Sequence, residues 1–394
     1  MTTPLPLIKQ NQAADILANA YIELDNSRSD PASQPPCLLL VLSPAWNNRY
    51  QSLLYAEARP RRYAVLGLTE TNALQHVSWP GPIILHAHWF SAFFNECRDE
   101  IDAAERLARI QDDILEFRHR TGARLLWTAH NVFPHGNPFP ETFLMLRQWL
   151  FEVFDALHVM QDAHVLALEQ AFERSAPPHF TVPHMLYTGS HPDCVSAAAA
   201  KAHYGIAPDA FVFAAFGSIQ TYKKLESMLT AFERIAANSA RSIAAVIGGV
   251  PSEIEAVLRL EQGWGLNPRV RLLMRPIPDY EIQHIHRAAD VMVLPYGDTL
   301  NSGSAFMAAS FERPFIMPAG LAAKALEGLG VSSFDAGEPD ALEAAMRAAM
   351  TGARGPINPS IQAACSGLAV SKAFFNALDE LIAQPQTAQE VACA

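Results

Sequence analysis

The sequence predicts an α/β protein with two doubly wound parallel sheets, each covered by helices on both faces. Three observations predict this fold class. The chain has 394 residues, more than one ordinary hydrophobic core holds, so two domains are expected. Short apolar runs alternate with helix-like segments along most of the chain, which is typical of repeated βα units. The alternation stops near residues 190–200 and then starts again, which indicates a domain boundary.

Six apolar runs in the first half of the chain are bounded by turn residues, as expected of strands that are buried on both faces. They are CLLLVLS (37–43), YAVLGL (63–68), PIILHAHW (82–89), RLLWTAH (124–130), ALHVM (156–160) and HFTVPH (179–184). Helices are predicted between them at 50–58, 95–122 and 143–154, and Gly122 stands where a left-handed residue often ends a helix. These elements form the first predicted domain, residues 1–192.

The second half of the chain contains five more strand candidates. They are FVFAAFG (211–217), SIAAVIGG (242–249), RVRLLM (269–274), DVMVLPY (290–296) and PFIMP (314–318). A helix is predicted at 225–237, and further helices connect the later strands. The second domain is therefore predicted at 193–365. A last helix, at about 366–384, is expected to pack back on the first domain.

Composition and charge exclude several classes of protein. The formal net charge is −11, whereas a general nucleic-acid-binding protein is expected to be basic, so no nucleic-acid partner is predicted. The N-terminus lacks the basic and apolar regions of a signal peptide, and no apolar stretch is long enough to span a bilayer. The five cysteines are scattered without metal-binding spacing, which is typical of reduced thiols in a cytoplasmic protein.

Polar residues collect where the predicted strands end, and ligands of open α/β sheets bind at that edge. In the first domain these residues are His86, His88, His130, Asn131, His135 and His184. In the second domain they are Gly217 with the nearby Lys223, and the stretch from Tyr296 to Asn301, Ser302 and Gly303. The imidazoles could hydrogen-bond hydroxyl groups or accept a proton.

The turn Asn301-Ser302-Gly303 opens an apolar, alanine-rich helix and has two interpretations. Asn301 or Ser302 could simply cap the helix. Alternatively, the unpaired N–H groups at the helix start bind an anion. Lys223 also stands near a helix start, where a cation opposes the helix dipole, and this favours an anionic ligand such as a diphosphate. The chain has no GxxxxGK[ST] and no intact GxGxxG motif, so ATP hydrolysis and NAD(P)-dependent oxidoreduction lose support.

Several segments together resemble GT-B-fold glycosyltransferases of bacterial exopolysaccharide assembly. They are LHAHW (85–89), WTAHNVFPH (127–135), TVPHMLY (181–187), FGSIQTYKKLESML (216–229) and VLPYGDTLNSGSAFMAASFERPFIMP (293–318). Among these enzymes the sequence is most similar to the GDP-mannose-dependent, inverting β-mannosyltransferases of xanthan-type repeat-unit synthesis. The resemblance implies the GT-B fold, in which two Rossmann-like domains face a central cleft.

The resemblance also implies roles for individual residues. The donor-binding residues would be Gly217, Lys223, Arg275, Tyr296, Asn301, Ser302 and Gly303, with Lys223 paired to the diphosphate. Asn48, Asn131 and His184 would face the transferred sugar and the acceptor. No cofactor and no bound metal is expected, because the lysine and the helix N-terminus stabilise the leaving group.

One departure from the family bears on the stereochemistry of transfer. Many retaining GT-B enzymes carry two glutamates, spaced Glu-x7-Glu, across this turn and helix. Here Thr299 and Met307 occupy those positions, which favours an inverting mechanism and hence a general base. The candidates for that base are His88, His130 and His135, with Glu141 and Asp162 as alternatives.

The function expected from the sequence is transfer of a hexose, mannose from GDP-mannose, onto a lipid-linked oligosaccharide in exopolysaccharide synthesis. The protein is expected in the cytoplasm, with a peripheral contact to the inner membrane. One alternative is a retaining hexosyltransferase with a UDP-sugar donor. Another is a non-catalytic partner that binds a nucleotide sugar or glycan within an assembly complex.

Overall fold

A computed structural model describes residues 5–9, 12–26, 34–44, 48–134, 136–297 and 299–385. The chain forms two compact units, one of residues Met1–Pro183 with Gly367–Ala394 and the other of residues His184–Ser366. Each unit contains one six-stranded parallel sheet with flanking helices. A helix that crosses a bilayer needs about 20 mostly apolar residues, and none of the helices in the described ranges meets that requirement.

The sheet of the first unit has the strand order β2-β1-β3-β4-β5-β6. Its strands are β1 (Cys37–Leu42), β2 (Tyr63–Leu68), β3 (Ile83–Ala87), β4 (Arg124–Thr128), β5 (Ala156–Val159) and β6 (His179–Thr181). Its helices up to β6 are α1 (Ala13–Asp25), α2 (Arg49–Leu54), α3 (Glu100–Thr121), α4 (Pro140–Val153) and α5 (Ala163–Phe172). Every residue of β1, β3 and β4 is buried, which explains their unbroken apolar sequences. Gly122 ends α3 in the left-handed conformation, with φ 65°.

The sheet of the second unit has the order β12-β11-β10-β7-β8-β9. Its strands are β7 (Phe211–Phe216), β8 (Ile243–Gly249), β9 (Val270–Met274), β10 (Val291–Val293), β11 (Phe315–Pro318) and β12 (Val331–Phe334). Its helices are α6 (Ala197–His203), α7 (Leu225–Ala237), α8 (Ile254–Trp264), α9 (Asp279–Ala288), α10 (Gly303–Ser310), α11 (Leu321–Lys324), α12 (Ala341–Met350) and α13 (Pro359–Ala364). Strands β7 and β10 are neighbours, so their C-terminal ends lie side by side.

The last helix, α14 (Gly367–Ala383), packs on α2 within the first unit. The hydroxyl of Ser371 donates to the carbonyl of Leu54 at 2.7 Å and accepts from the backbone N–H of Glu57 at 3.0 Å. The hydroxyl of Tyr63, on β2, donates to Asp379 at 2.7 Å. These side-chain bonds attach α14 to α2, to the segment after α2 and to β2.

All eleven strands that the sequence predicts are present, most of them shorter by one to three residues. The sequence did not predict β12 or several of the helices, among them α1, α5 and α6. β12 reads VSSF, in which the polar serines interrupt the apolar run that marks the other strands. α1 starts at Ala13, within a segment that carries no strong capping signal, since the side chain of the N-cap residue Gln12 makes no capping bond.

Candidate functional site

Four residues of the second unit meet at the edge of the sheet where β7 and β10 end. Gly217 follows β7, and Lys223 ends a short 3-10 helix, Thr221–Lys223, ahead of α7. Tyr296 follows β10, and Ser302 is the N-cap of α10. Since β7 and β10 are parallel neighbours, segments that are about 80 residues apart in sequence come together.

Lys223 is a buried cation, with 8% of its surface exposed. Its Nζ lies 3.8 Å from the ring centroid of Tyr296 and 5.1 Å from that of Tyr222. Burial lowers the pKa of Lys223, but the phenol groups of Tyr296 and Tyr222 outweigh burial and raise it above its ordinary value. The side chain is therefore an ammonium at neutral pH. None of the described carboxylates forms an ion pair with it, and its partners there are the phenol groups of Tyr296 and Tyr222. An anionic ligand would supply the opposite charge that a buried ammonium group favours.

The start of α10 lies beside this ammonium group. The hydroxyl of Ser302 accepts from the N–H of Ala305 at 3.2 Å and lies 2.9 Å from the hydroxyl of Tyr296. Burial raises the pKa of Tyr296, but Lys223 and the hydroxyls of Ser302 and Ser304 lower it by more, so the pKa lies below its ordinary value. The amides of Gly303 and Ser304 donate no hydrogen bond within the described part of the chain. Capping and anion binding are thus compatible, because the cap uses only one of the N–H groups.

Asn301 precedes this helix, and its side-chain amide is buried. Its Oδ1 and Nδ2 are both buried, and neither forms a hydrogen bond to any described residue. Burying an unsatisfied polar group costs about 1–3 kcal/mol. A ligand with donor and acceptor groups would satisfy it.

Gly217 keeps the loop after β7 close to this helix. Its φ is 132°, and a Cβ atom at this position would lie 2.7 Å from Oγ of Ser304 and 4.0 Å from Nζ of Lys223. We therefore expect Gly217→Ala to lower the free energy of unfolding by about 1–3 kcal/mol, measured by urea denaturation. The control is Gly263→Ala in α8, where a Cβ meets no atom within 4 Å and better helix propensity should raise stability by up to about 1 kcal/mol. Equal effects of both substitutions would contradict the close approach at Gly217.

Arg275 does not join the Lys223 cluster. Its guanidinium donates twice to Glu281, at 2.6 and 2.8 Å. It follows β9, which is separated from β7 by β8 in the sheet. The charge of this predicted donor-binding residue is thus already paired with a carboxylate.

In the first unit, the histidines at the ends of β3 and β4 belong to one chain of hydrogen bonds. Nε2 of His130 lies 2.8 Å from Nδ1 of His88, and Nε2 of His88 lies 2.6 Å from the hydroxyl of Tyr55. The hydroxyl of Tyr55 lies 2.8 Å from Nδ1 of His86, whose Nε2 lies 2.6 Å from the hydroxyl of Thr128. We call the residues His130, His88, Tyr55, His86, Thr128 and His158 the histidine chain.

The histidine chain ends at a backbone carbonyl. The hydroxyl of Thr128 lies 2.9 Å from Nδ1 of His158, and Nε2 of His158 lies 3.0 Å from the carbonyl oxygen of Val182. At the other end, the ring of Trp89 stacks on His130, with centroids 4.1 Å apart. His130 is half-buried, whereas the histidines further along the chain are fully buried.

Burial keeps the inner part of the histidine chain neutral. Burial and the neighbouring histidines lower the pKa of His86 and of His88 well below the ordinary value. Burial lowers the pKa of His158 to about 4. Burial also raises the pKa of Tyr55, which therefore keeps its proton.

The remaining predicted residues have other surroundings. Asn48 caps α2, and its side-chain oxygen accepts from the N–H of Tyr50 at 3.0 Å. Asn131 directly follows His130 and is half-buried, while His135 lies outside the described residues. His184, expected on the acceptor side, belongs to the second unit, where its ring stacks on Phe306 with centroids 4.1 Å apart.

Three members of the histidine chain were not predicted from the sequence, namely Tyr55, Thr128 and His158. Tyr55 follows α2 and the other two lie in β4 and β5, so their sequence positions do not group them. The one available signal was polarity, because Thr128 and His158 interrupt strands that are otherwise largely apolar and fully buried.

The fold is shared with solved structures at low sequence identity, although no protein-family model and no curated protein sequence matches the chain. Anabaena HepE in complex with UDP and glucose is 15% identical, with a TM-score of 0.62 over 87% of this chain and 99% of that one. Sucrose-phosphate synthase from Thermosynechococcus elongatus is 15% identical, with a TM-score of 0.63 over 88% and 99%. Trehalose 6-phosphate synthase from Burkholderia multivorans is 12% identical, with a TM-score of 0.58 over 89% and 99%. These neighbours are GT-B glycosyltransferases, so the predicted fold class is confirmed and the chain has the GT-B fold.

Proposed function

We propose that the protein is a glycosyltransferase whose donor is a nucleoside-diphosphate hexose. The observation that carries the proposal is the buried ammonium of Lys223 beside the bare amides at the start of α10, with no carboxylate among the described residues paired to it. A diphosphate supplies negative charge for Lys223 and oxygen acceptors for the amides of Gly303 and Ser304. Asn301 offers an unsatisfied amide to the same ligand. The Anabaena neighbour was solved with UDP and glucose, which is consistent with this assignment.

The cluster suits the departure of a diphosphate. When the bond from the anomeric carbon to the phosphate oxygen breaks, that oxygen keeps the electron pair and gains negative charge. Lys223 and the α10 amides are fixed donors that stabilise this charge as it forms. We propose that they do so without a metal ion, so a chelator should leave transfer unchanged.

We propose GDP-mannose as the donor and inversion as the stereochemical course. Thr299 and Met307 stand where many retaining relatives of this fold carry glutamates, and neither side chain can serve as an acid or base. An inverting reaction takes the acceptor proton on a general base, for which the first unit supplies histidines. NMR of the product tests the course, because an α-linked donor yields a β-linked product only by inversion.

One observation favours a second candidate, a UDP-sugar donor. Anabaena HepE, which is similar over 87% of this chain, was also solved in complex with UDP-glucose. This candidate keeps the role of Lys223 and changes only the base and the sugar.

The acceptor is proposed from the sequence resemblance alone. We propose a lipid-linked oligosaccharide in exopolysaccharide synthesis, with the protein in the cytoplasm and in peripheral contact with the inner membrane. Flotation with vesicles that carry the lipid-linked acceptor, compared with vesicles that lack it, tests this part separately from donor binding.

A thermal-shift panel of GDP, UDP, ADP, GDP-mannose and UDP-glucose tests the donor. A ligand at about 100 times its Kd adds roughly 2.7 kcal/mol of stability, which in a unit of this size raises Tm by roughly 5–10 °C. We expect GDP and GDP-mannose to give the largest shift, with and without a chelator. A larger shift with UDP compounds would select the second candidate. No shift with any nucleotide would overturn the proposed function.

A further inference from the structure

The histidine chain has a fixed direction because it ends at the carbonyl oxygen of Val182. A carbonyl oxygen only accepts hydrogen bonds, so Nε2 of His158 must carry the proton in the 3.0 Å contact. A neutral imidazole has one N–H, and Nδ1 of His158 is therefore an acceptor. The hydroxyl of Thr128, 2.9 Å away, must donate to it.

The links outward from Thr128 have a fixed direction as well. Its hydroxyl has a single proton, which is used toward His158, so it accepts from Nε2–H of His86. Nδ1 of His86 then accepts from the hydroxyl of Tyr55, and this hydroxyl in turn accepts from Nε2–H of His88. Each link has only one possible donor.

The last link fixes the tautomer of His130. Nδ1 of His88 is an acceptor, so Nε2 of His130 donates to it across 2.8 Å. Neutral His130 therefore has its lone pair on Nδ1. The stacked ring of Trp89 and the edge of Tyr50, whose centroids lie 4.1 and 5.1 Å from that of His130, hold the ring in this orientation.

We infer that His130 is the general base of the proposed transfer reaction, and that the histidine chain anchored at Val182 holds its basic nitrogen, Nδ1, in the deprotonated tautomer. His88, Tyr55, His86, Thr128 and His158 are then positioning residues, because they act on the acceptor through His130. The inference rests on the proposed function. It singles out one of the three histidines that the sequence offers as candidates.

The acceptor hydroxyl gives its proton to Nδ1 of His130, and its oxygen forms a bond to the anomeric carbon. The bond from that carbon to the diphosphate breaks, and the diphosphate keeps the electron pair. The imidazolium formed on His130 still donates Nε2–H to His88, and the aligned donors behind it stabilise its charge.

The tautomers can be observed without any assay of activity. Long-range ¹H–¹⁵N spectra of protein with ¹⁵N-labelled histidine, assigned by single-histidine variants, distinguish Nε2–H from Nδ1–H rings. We expect His86, His88, His130 and His158 to be neutral Nε2–H tautomers at pH 7.5. His286, which donates Nδ1–H to the carbonyl of Ile282 at 2.9 Å, serves as an internal reference of the opposite type. An Nδ1–H tautomer at His130 would overturn the inference.

A pair of variants at Thr128 tests whether the histidine chain fixes the tautomer of His130. Thr128→Val keeps the shape of the side chain but removes the acceptor of His86, so each link back to His130 can reverse. We expect His130 to become partly Nδ1–H and kcat to fall roughly 10- to 100-fold, within the range that general-base catalysis contributes. Thr128→Ser keeps the hydroxyl and should retain the wild-type tautomers and most of kcat. If Thr128→Ser loses as much activity as Thr128→Val, packing rather than hydrogen bonding is responsible, and the inference fails.

Failure of the inference differs from failure of the proposed function. His130→Asn should lower kcat by at least about 100-fold while leaving the affinity for the nucleoside diphosphate within twofold, measured by calorimetry. Full activity of this variant removes His130 as the base but leaves the glycosyltransferase intact. If the wild-type protein binds no nucleoside diphosphate, the proposed function itself is wrong, whatever the tautomers are.

Discussion

Lys223→Met is expected to reduce the affinity for a nucleoside diphosphate by roughly 10- to 100-fold and transfer by at least a further 100-fold. The methionine keeps the length and the apolar stem of lysine, so the contacts with Tyr222 and Tyr296 are largely retained. The ammonium is lost, and with it the only cation that the structure places at this cluster among the described residues. Calorimetry with the diphosphate and steady-state kinetics with the sugar nucleotide measure the two effects.

Lys224→Asn is the matched control for Lys223→Met. Lys224 is the next residue, it is exposed, and its φ of 51° lies in the left-handed region, which asparagine tolerates. This variant removes the same charge from the same loop but not from the cluster. We expect less than a twofold change in affinity. Equal losses in both variants would mean that general electrostatic attraction, and not a built diphosphate site, explains the role of Lys223.

The fold followed from the sequence because buried parallel strands leave a simple pattern. Strand β1 reads CLLLVL with every residue buried, and such runs identify a strand without knowledge of its neighbours. β12 lacks that pattern because it is only partly buried. The grouping of Gly217, Lys223, Tyr296 and Ser302 was also predictable, because the C-terminal ends of parallel strands meet at one edge of the sheet.

The histidine chain was not predictable in the same way. Alternation along the predicted strand 82–89 places His86 and His88 on one face, which the sequence indicates. Their hydrogen-bond partners depend on the direction of the side chains and on the order of the strands in the sheet. Neither can be read from the sequence around each residue. Asn48 shows the opposite case, in which a polar residue of the predicted site serves the backbone as a helix cap.

Acid is expected to lower the free energy of unfolding steeply between pH 6.5 and pH 4. Buried histidines cause this loss, in addition to any loss from protonation of carboxylates. Burial lowers the pKa of His158 and of His286 to about 4, against an ordinary value of 6.5. His86 and His88 shift in the same direction. In this pH range the unfolded chain binds protons that the folded chain does not. The contribution of these histidines to the free energy of unfolding is therefore fully present above about pH 6.5 and is lost as the pH falls toward 4.

Each residue with a folded pKa of about 4 contributes roughly 3 kcal/mol to this loss. Urea denaturation at pH 7.5, 6.5, 5.5 and 4.5 measures it as the free energy of unfolding. A flat profile over this range would contradict neutral, buried histidines and would also remove the basis for a fixed direction of the histidine chain.

His286→Leu isolates one residue of this group. The imidazole stacks on Phe311, with centroids 4.6 Å apart, and its Nε2 is buried without a partner among the described residues, so leucine suits the site. We compare the free energy of unfolding of the variant with that of the wild type at two pH values. The difference should favour the variant by about 2–3 kcal/mol more at pH 4.5 than at pH 7.5, because one proton-binding group is removed from the unfolded chain. His119→Gln, at an exposed position, should show no such dependence on pH. His286 lies in the second unit, outside the histidine chain. A gain in the free energy of unfolding at pH 4.5, with unchanged tautomers at His130, would show that burial causes the acid sensitivity and that hydrogen bonding fixes the tautomer of His130.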